Sequence, residues 1–509
     1  MASWQARAAG IAICLTMDAA SAQDITLTAR DGALAISGSL QAYDGEFYTI
    51  KTAYGTLTVD GQGVICDGPG CPDLTAPRAR IRIVGEADAG GRLILPLFQA
   101  FAAERGYAYL PTEGSTVGAT LRDPRTDQIL AEVTFAPLDA AQSRRLLASA
   151  EAELVVSLQA DPAFRTRVLA LDALIPIVAP DNPTPRLSTA DLARALTGAV
   201  SNWNEAGGPD MPIVLHAVGP GTELAAMIEK RLGQPVIAAV WHPDQASMAA
   251  AVARDPWALA LVGKSAQGPA RALPMTDSCG FPLSHDPAAI RAEDYPLTFP
   301  SLLLIPPRRL PLIAREFLEF LSSPSGDRTV ASLGYVGRDI QRHPLTDDGL
   351  RLINAIRGAG SDVTLPDLQA LVAAMTGTDR LSLTFRFEDG ATELDATSRD
   401  NLDDLVRLIG SGNFAREQLT LVGFSDGSGA ATDNQALSRD RAQAVLEALV
   451  LIAPDIRADQ LPTVAGFGEA LPMACDTTEA GKRLNRRVEL WVGPAMPMPP
   501  LPEAAAASP

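Results

Sequence analysis

The chain has 509 residues, 42 basic and 60 acidic, for a formal charge of −18. So acidic a chain lacks the basic face that neutralising nucleic-acid phosphates requires, and nucleic acid is not expected as a partner. The length exceeds one ordinary core and predicts two or three domains.

The first 22 residues read as an export signal. Arg7 supplies a positive start, residues 8–17 are mostly apolar, and Ala20-Ser21-Ala22 forms a small-x-small cleavage site before Gln23. No later segment has the ~20 apolar residues that a membrane-spanning helix needs. The mature chain is therefore expected to be a soluble protein of an oxidising compartment. There, Cys66 and Cys71 flank a tight Gly/Pro turn that suits a local disulfide. A metal site is the weaker reading of that pair, because no Cys or His lies nearby. Whether Cys279 and Cys475 pair is open at the level of sequence.

Residues 23–77 alternate apolar and polar positions between Asp-Gly turns, as in Ile25-Thr-Leu-Thr and Phe47-Tyr-Thr-Ile-Lys. They predict a small antiparallel β unit that leans on its neighbour. Residues 78–343 alternate strands and helices. Arg80-Ile-Arg-Ile-Val84 reads as a strand, and Ile94, Leu97, Phe98 and Phe101 mark a helix ended by Gly106. A candidate buried strand lies within 168–178, Ser188 caps a helix through Leu196, Pro212-Ile-Val-Leu215 is a strand, a helix spans 222–232, and Ala258-Leu-Ala-Leu-Val262 is a buried strand. The pattern is α/β. Residues 344–380 read as a helical linker, 381–493 as a second α/β stretch, and 494–509 as a disordered Pro/Ala-rich tail.

In the second stretch, the strand Gln418-Leu-Thr-Leu-Val-Gly-Phe424 leads into a polar loop, Ser425-Asp-Gly-Ser-Gly429, and then a helix. Asn434, Ser438 and Arg441 share one face of that helix. Asp426 opposite Arg441 makes a two-charge pocket fit for a zwitterion: the carboxylate takes an ammonium, and the planar guanidinium grips a carboxylate. Without further context the pair would be an ordinary surface ion pair worth ~0–1 kcal/mol. However, Ser425-Asp426-x-x-Gly429, Asn434, Leu437-Ser438, Arg441-Ala442 and Asn485-Arg-Arg-Val-Glu489 together resemble the OmpA-like peptidoglycan-binding domain over 381–492. The resemblance extends to Phe385-x-Phe387 and Leu394-Asp395. It implies an α+β domain in which Asp426 and Arg441, with Asn434 and Ser438, grip the diaminopimelate of the peptidoglycan stem peptide. Phe424 stands where that family usually has histidine.

The first stretch carries a second resemblance. Ser188-Thr-Ala-Asp-Leu-Ala-Arg-Ala-Leu-Thr-Gly198, Ser201-Asn-Trp-Asn204, and Gly219-Pro-Gly-Thr222 before a helix are similar to the phosphate-type periplasmic binding proteins of ABC transporters. Asp181-Asn-Pro183, Ala260-Leu-Val-Gly263 and Tyr295-Pro-Leu297 fit the same family. The resemblance implies a two-lobed type II periplasmic-binding-protein domain over 78–343. Its ligand would be a small anion such as phosphate, held by Ser115, Thr116, His216, Gly221 and Thr222. Helix N-termini attract anions, which suits that role. In the bland reading Thr222 is only an N-cap and Ser115-Thr116 only a turn. Two features depart from the family: His216 stands where phosphate binders carry arginine, and Gly85-Glu86-Ala87-Asp88 brings two acids to the first loop. Carboxylates repel a dianion unless they accept its proton.

Gly423-Phe-Ser425-Asp-Gly427 fits the nucleophile elbow G-x-S-x-G. All four histidines (His216, His242, His285 and His343) lie upstream of it, so the serine lacks a later base. No metal cluster or nucleotide loop is evident, and no enzymatic activity or cofactor is expected. The expected protein is a periplasmic binding protein tethered to peptidoglycan at the wall or outer membrane of a Gram-negative bacterium, serving an ABC transporter. The alternative is a wall-anchored structural or sensory protein whose clamshell is a ligand-free scaffold for an envelope partner.

Overall fold

A computed structural model describes residues 23–43, 46–71, 79–112, 117–344, 349–359, 362–387 and 393–494. The expected export signal, the Ser115-Thr116 loop and the tail from 495 onward lie outside the described residues.

Five antiparallel strands form the N-terminal unit, around Ile25, Leu27, Tyr48, Ile50 and Val64. Cys66 and Cys71 are disulfide-bonded across their turn, Cα to Cα 5.9 Å. So small a core cannot stand far from support. The Ile313 amide donates to Gln62 Oε1 at 2.9 Å, and Arg315 pairs with Asp60 at 3.0 Å, which fixes the unit to the helix Leu312–Phe320.

The clamshell follows from the apolar pattern. In the first lobe the helix Ala87–Arg105 buries Leu93, Ile94, Leu97, Phe98 and Phe101, and Gly106 ends it at φ 72°. Phe98 stacks on Phe317 at 3.8 Å. In the second lobe the strands Val214–Val218, Val240–His242 and Ala258–Gly263 run parallel. The strand expected at 212–215 starts two residues later. Pro212, which has no N–H for a ladder, instead meets Asn202 in an isolated bridge. The long strand Arg165–Val178 pairs antiparallel with Thr298–Ile305, from Arg165 opposite Ile305 to Ala173 opposite Thr298. This pair runs from one lobe into the other, and the fold is that of a type II periplasmic-binding-protein domain.

The C-terminal domain is a five-stranded sheet in the order Arg342–Pro344, Asp379–Phe385, Arg487–Pro494, Glu417–Phe424, Thr463–Gly466. The helices Ala396–Gly410 and Ala431–Ile452 cover one face. Residues 344–380 do more than connect. The helices Gly349–Gly358 and Leu365–Met375 bring Ala355, Leu371 and Met375 onto the opposite face, against Phe424, Phe467 and Trp491.

This domain is docked on the clamshell rather than strung from it. Cys279 and Cys475 form a disulfide between them. Beside it, the Asp277 carboxylate accepts from the Cys279 and Phe281 amides on its own side, and from the Cys475 amide across the joint at 2.9 Å. Asp400 of the helix Ala396–Gly410 receives Arg338, Arg167 at 3.2 Å and the Val168 amide at 2.8 Å. Asp404 pairs with Arg338 at 2.6 Å, and Arg380 pairs bidentately with Asp294. Burial works against the Arg338 charge, but Asp400 and Asp404 more than offset it and raise its pKa.

Candidate functional site

The pocket in the C-terminal domain is set by close backbone contact. A Cβ on Gly423 would lie 1.8 Å from the Ser438 carbonyl oxygen, so only glycine lets the strand end meet the helix there. Gly429, at φ 101°, turns the loop into the helix Ala431–Ile452. Ala430 gives that helix no side-chain cap, so its first-turn amides are left for an outside acceptor.

Asp426, 9% exposed, accepts from the Ser428 amide at 3.0 Å and from Arg486 at 2.9 Å. Burial raises the cost of its charge, yet Arg486 and Ser428 hold it below the usual carboxylate range. Asp426 therefore pairs with Arg486, and no direct ion pair joins it to Arg441. Arg441 stays within the field of both groups: burial and the Arg486 charge lower its pKa while Asp426 raises it. Arg441 Nη1 is buried with no hydrogen-bond partner among the described residues. An unpaired buried donor costs about 1–3 kcal/mol, which an incoming acceptor would return.

The other expected residues divide. Asn434 Nδ2 faces Glu469 at 3.4 Å, on the rim of the same pocket. Ser438 is a correction: its hydroxyl donates to the Gln435 carbonyl and accepts from the Gly468 amide at 3.0 Å, so it braces the adjoining loop and is not free for a ligand. Phe424 is fully buried with Arg487 4.4 Å over its ring, so the exchange for histidine changes the packing beneath the loop. Arg486 was the missed member. Its neighbour Arg487 is buried with Glu489, and sequence alone does not say which of two adjacent arginines turns outward.

The clamshell residues fare differently. Gly221, at φ 95°, leads into the helix Glu223–Leu232. Thr222 caps that helix, accepting from the Ala225 amide and donating to the Gly219 carbonyl, both at 3.2 Å, so the cap consumes its hydroxyl. His216 lies 2.9 Å from His242 through Nδ1 and 3.8 Å from Asp255 through Nε2, and burial, then His242, lower its pKa. Ser115 and Thr116 lie outside the described residues.

Glu86, at the cleft, accepts from the amides of Asp88 and Ala89 at the helix start. Burial, with help from Asp88 and Glu223, pushes its pKa up to about 7. A carboxyl raised in the folded state favours the fold fully below its unfolded pKa near 4.5, and that contribution fades as pH rises through 7. Glu86→Gln removes the term. Relative to wild type, the variant is expected to gain up to ~3 kcal/mol between pH 4.5 and 8, read by denaturant unfolding at each pH.

Residues 77–325 match the PBP superfamily domain, and residues 386–486 match the OmpA family. The chain joins a PBP superfamily domain to an OmpA family domain. Outer membrane porin F of Pseudomonas fluorescens is 31% identical over 113 residues, 22% of this chain and 33% of the relative. The probable lipoprotein YiaD of Escherichia coli (strain K12) is 35% identical over 81 residues, 16% of this chain and 36% of the relative. The chain thus spans about a third of the length of these curated relatives. Among solved structures, a putative phosphate ABC transporter substrate-binding protein with bound phosphate from Clostridium perfringens aligns at TM-score 0.41 and 15% identity, over 51% of this chain and 99% of that one. An ABC-type phosphate transport receptor from Vibrio cholerae aligns at 0.40 and 18%, over 50% and 99%.

Proposed function

We propose that this is a Gram-negative envelope protein tethered to peptidoglycan by its OmpA family domain, with Asp426 and Arg441 receiving the two charges of a diaminopimelate residue. The observation that carries the reading is the buried, unpartnered Nη1 of Arg441 beside Asp426 and Arg486. A carboxylate entering there gains a charge-assisted bond. An ammonium entering on the other side meets Asp426 and the Glu469 rim. The OmpA family match and the outer-membrane and lipoprotein names of the relatives support an envelope location. Neither matched family is described as an enzyme, and no catalysis is assigned.

Arg441→Ala in the full chain is expected to weaken co-sedimentation with purified sacculi by about 10- to 100-fold, from the roughly 1.5–3 kcal/mol of a hydrogen bond to a charged group. Affinity within twofold of wild type would remove Arg441 from the site.

For the clamshell, capture of a small oxyanion for an ABC transporter is one reading. The other is a scaffold offered to an envelope partner. The cleft favours the second, because Glu86, Asp88 and Glu223 face it and a phosphate dianion would meet three carboxyl groups.

A further inference from the structure

The cleft has the makings of an anion seat. On the first lobe it is bounded by the ends of the strands Arg80–Gly85 and Leu154–Ser157 and by the start of the helix Ala87–Arg105. On the second lobe it is bounded by the starts of the helices Glu223–Leu232 and Gln245–Val252. Helix N-termini and strand ends converging on a crevice attract oxyanions. Here the chain's own groups have taken those donors. Glu223 crosses from the second lobe, and its Oε2 accepts from the Leu158 amide at 2.6 Å and from the Ser157 hydroxyl at 2.9 Å. Glu86 holds the amides of Asp88 and Ala89. Gln245 donates to Asp88 across the cleft at 2.9 Å and accepts from the Gly263 amide. Asp172 takes both the amide and the hydroxyl of Ser265. Arg92 donates to the Leu333 carbonyl at 2.9 Å and lies 3.3 Å from the Ser265 hydroxyl.

We propose that Glu223 is a built-in ligand: its carboxylate occupies the place of an external oxyanion, closes the two lobes on each other, and excludes phosphate. A free anion that closes a clamshell works by bonding donors of both lobes at once. Glu223 does so covalently tethered to one lobe, so its effective concentration far exceeds that of any solute. Its charge also repels a second anion in the same space. Glu223 Oε1 is buried without a hydrogen-bond partner among the described residues, and the bonds to the first lobe run through Oε2. Glu223 stands at the first position of its helix, where an acid is ordinary by itself. Its reach to Ser157 and Leu158 is what sets it apart. The inference rests on the scaffold reading of the clamshell and is independent of the wall-binding pocket.

The test is calorimetric titration of the full chain with inorganic phosphate, for wild type, Glu223→Gln and Glu223→Ala. Wild type should give no saturable binding. Glu223→Ala, which frees the Leu158 amide and removes the charge, should gain phosphate affinity at least tenfold above the wild-type limit. Glu223→Gln keeps an acceptor but loses the charge and should fall between them, at least threefold above wild type. Should the alanine variant fail to fold, the glutamine variant decides alone. Saturable wild-type binding, or variants with no gain, would overturn the proposal. Sacculus co-sedimentation of the same proteins should be unchanged, which keeps this outcome separate from the fate of the wall-binding reading.

Discussion

Serine at both Cys279 and Cys475 is expected to cost the protein about 5 kcal/mol, the chain-entropy value for a loop of this size. The disulfide spans 196 positions, and the entropy of closing a loop grows with its length. It joins the second lobe to the C-terminal domain where Asp277 already gathers amides from both sides. In guanidinium titrations the oxidised protein should unfold at a higher midpoint than the serine variant. The variant should also show an early step as the C-terminal domain undocks. Coincident curves for the two proteins would mean that the disulfide adds nothing to the joint.

The second large effect lies across the same joint. Asp400→Ala is expected to destabilise the protein by about 3–5 kcal/mol, because it strands buried charge. Asp400 is 4% exposed and answers two arginines of the clamshell, Arg167 and Arg338, together with the Val168 amide. Truncating it leaves both guanidiniums and the amide without that partner, and the remaining acid, Asp404, pairs with Arg338 but is shared with Arg291 and Arg407. Asp400→Asn should recover part of the loss, since the amide oxygen still accepts while the charge is gone. A thermal melt of each variant reads the difference, and an alanine variant within 1 kcal/mol of wild type would show that the pair network carries no stability. Together, the disulfide and this network join the two domains by a covalent bond and by buried charge pairs.

The parts of this architecture legible in sequence are those written in local pattern. The stripe of Ile94, Leu97, Phe98 and Phe101 predicted its helix because a 3.6-residue period has one buried face. Ser188 announced the helix Thr189–Leu196 by the capping bond that it makes to the Asp191 amide. Asp426 and Arg441 were legible as part of a spaced set of residues, but the actual partner of Asp426 was not, because Arg486 lies 60 positions away. The docking of the domains was illegible for the same reason. Arg167 and Asp400 are 233 positions apart, and each looks like any surface charge until the fold brings them together. The reach of Glu223 was illegible for another reason. At a helix start an acid is expected to complement the dipole, and nothing in the sequence says that it reaches the other lobe. The helices Gly349–Gly358 and Leu365–Met375 read as connective because the sheet face that they cover is formed by strands that come later in the chain.

The central claim is that the OmpA family domain recognises a diaminopimelate residue of peptidoglycan through Asp426 and Arg441. The most direct measurement is release of the full-length protein from sacculi by free meso-diaminopimelate, with lysine blocked at both its α-amino and α-carboxyl groups, which keeps the side-chain ammonium but offers no zwitterionic end, as the control. The account predicts that diaminopimelate releases the wild-type protein in a saturable way and the blocked lysine does not. Binding to sacculi that persists unchanged at saturating diaminopimelate would contradict it.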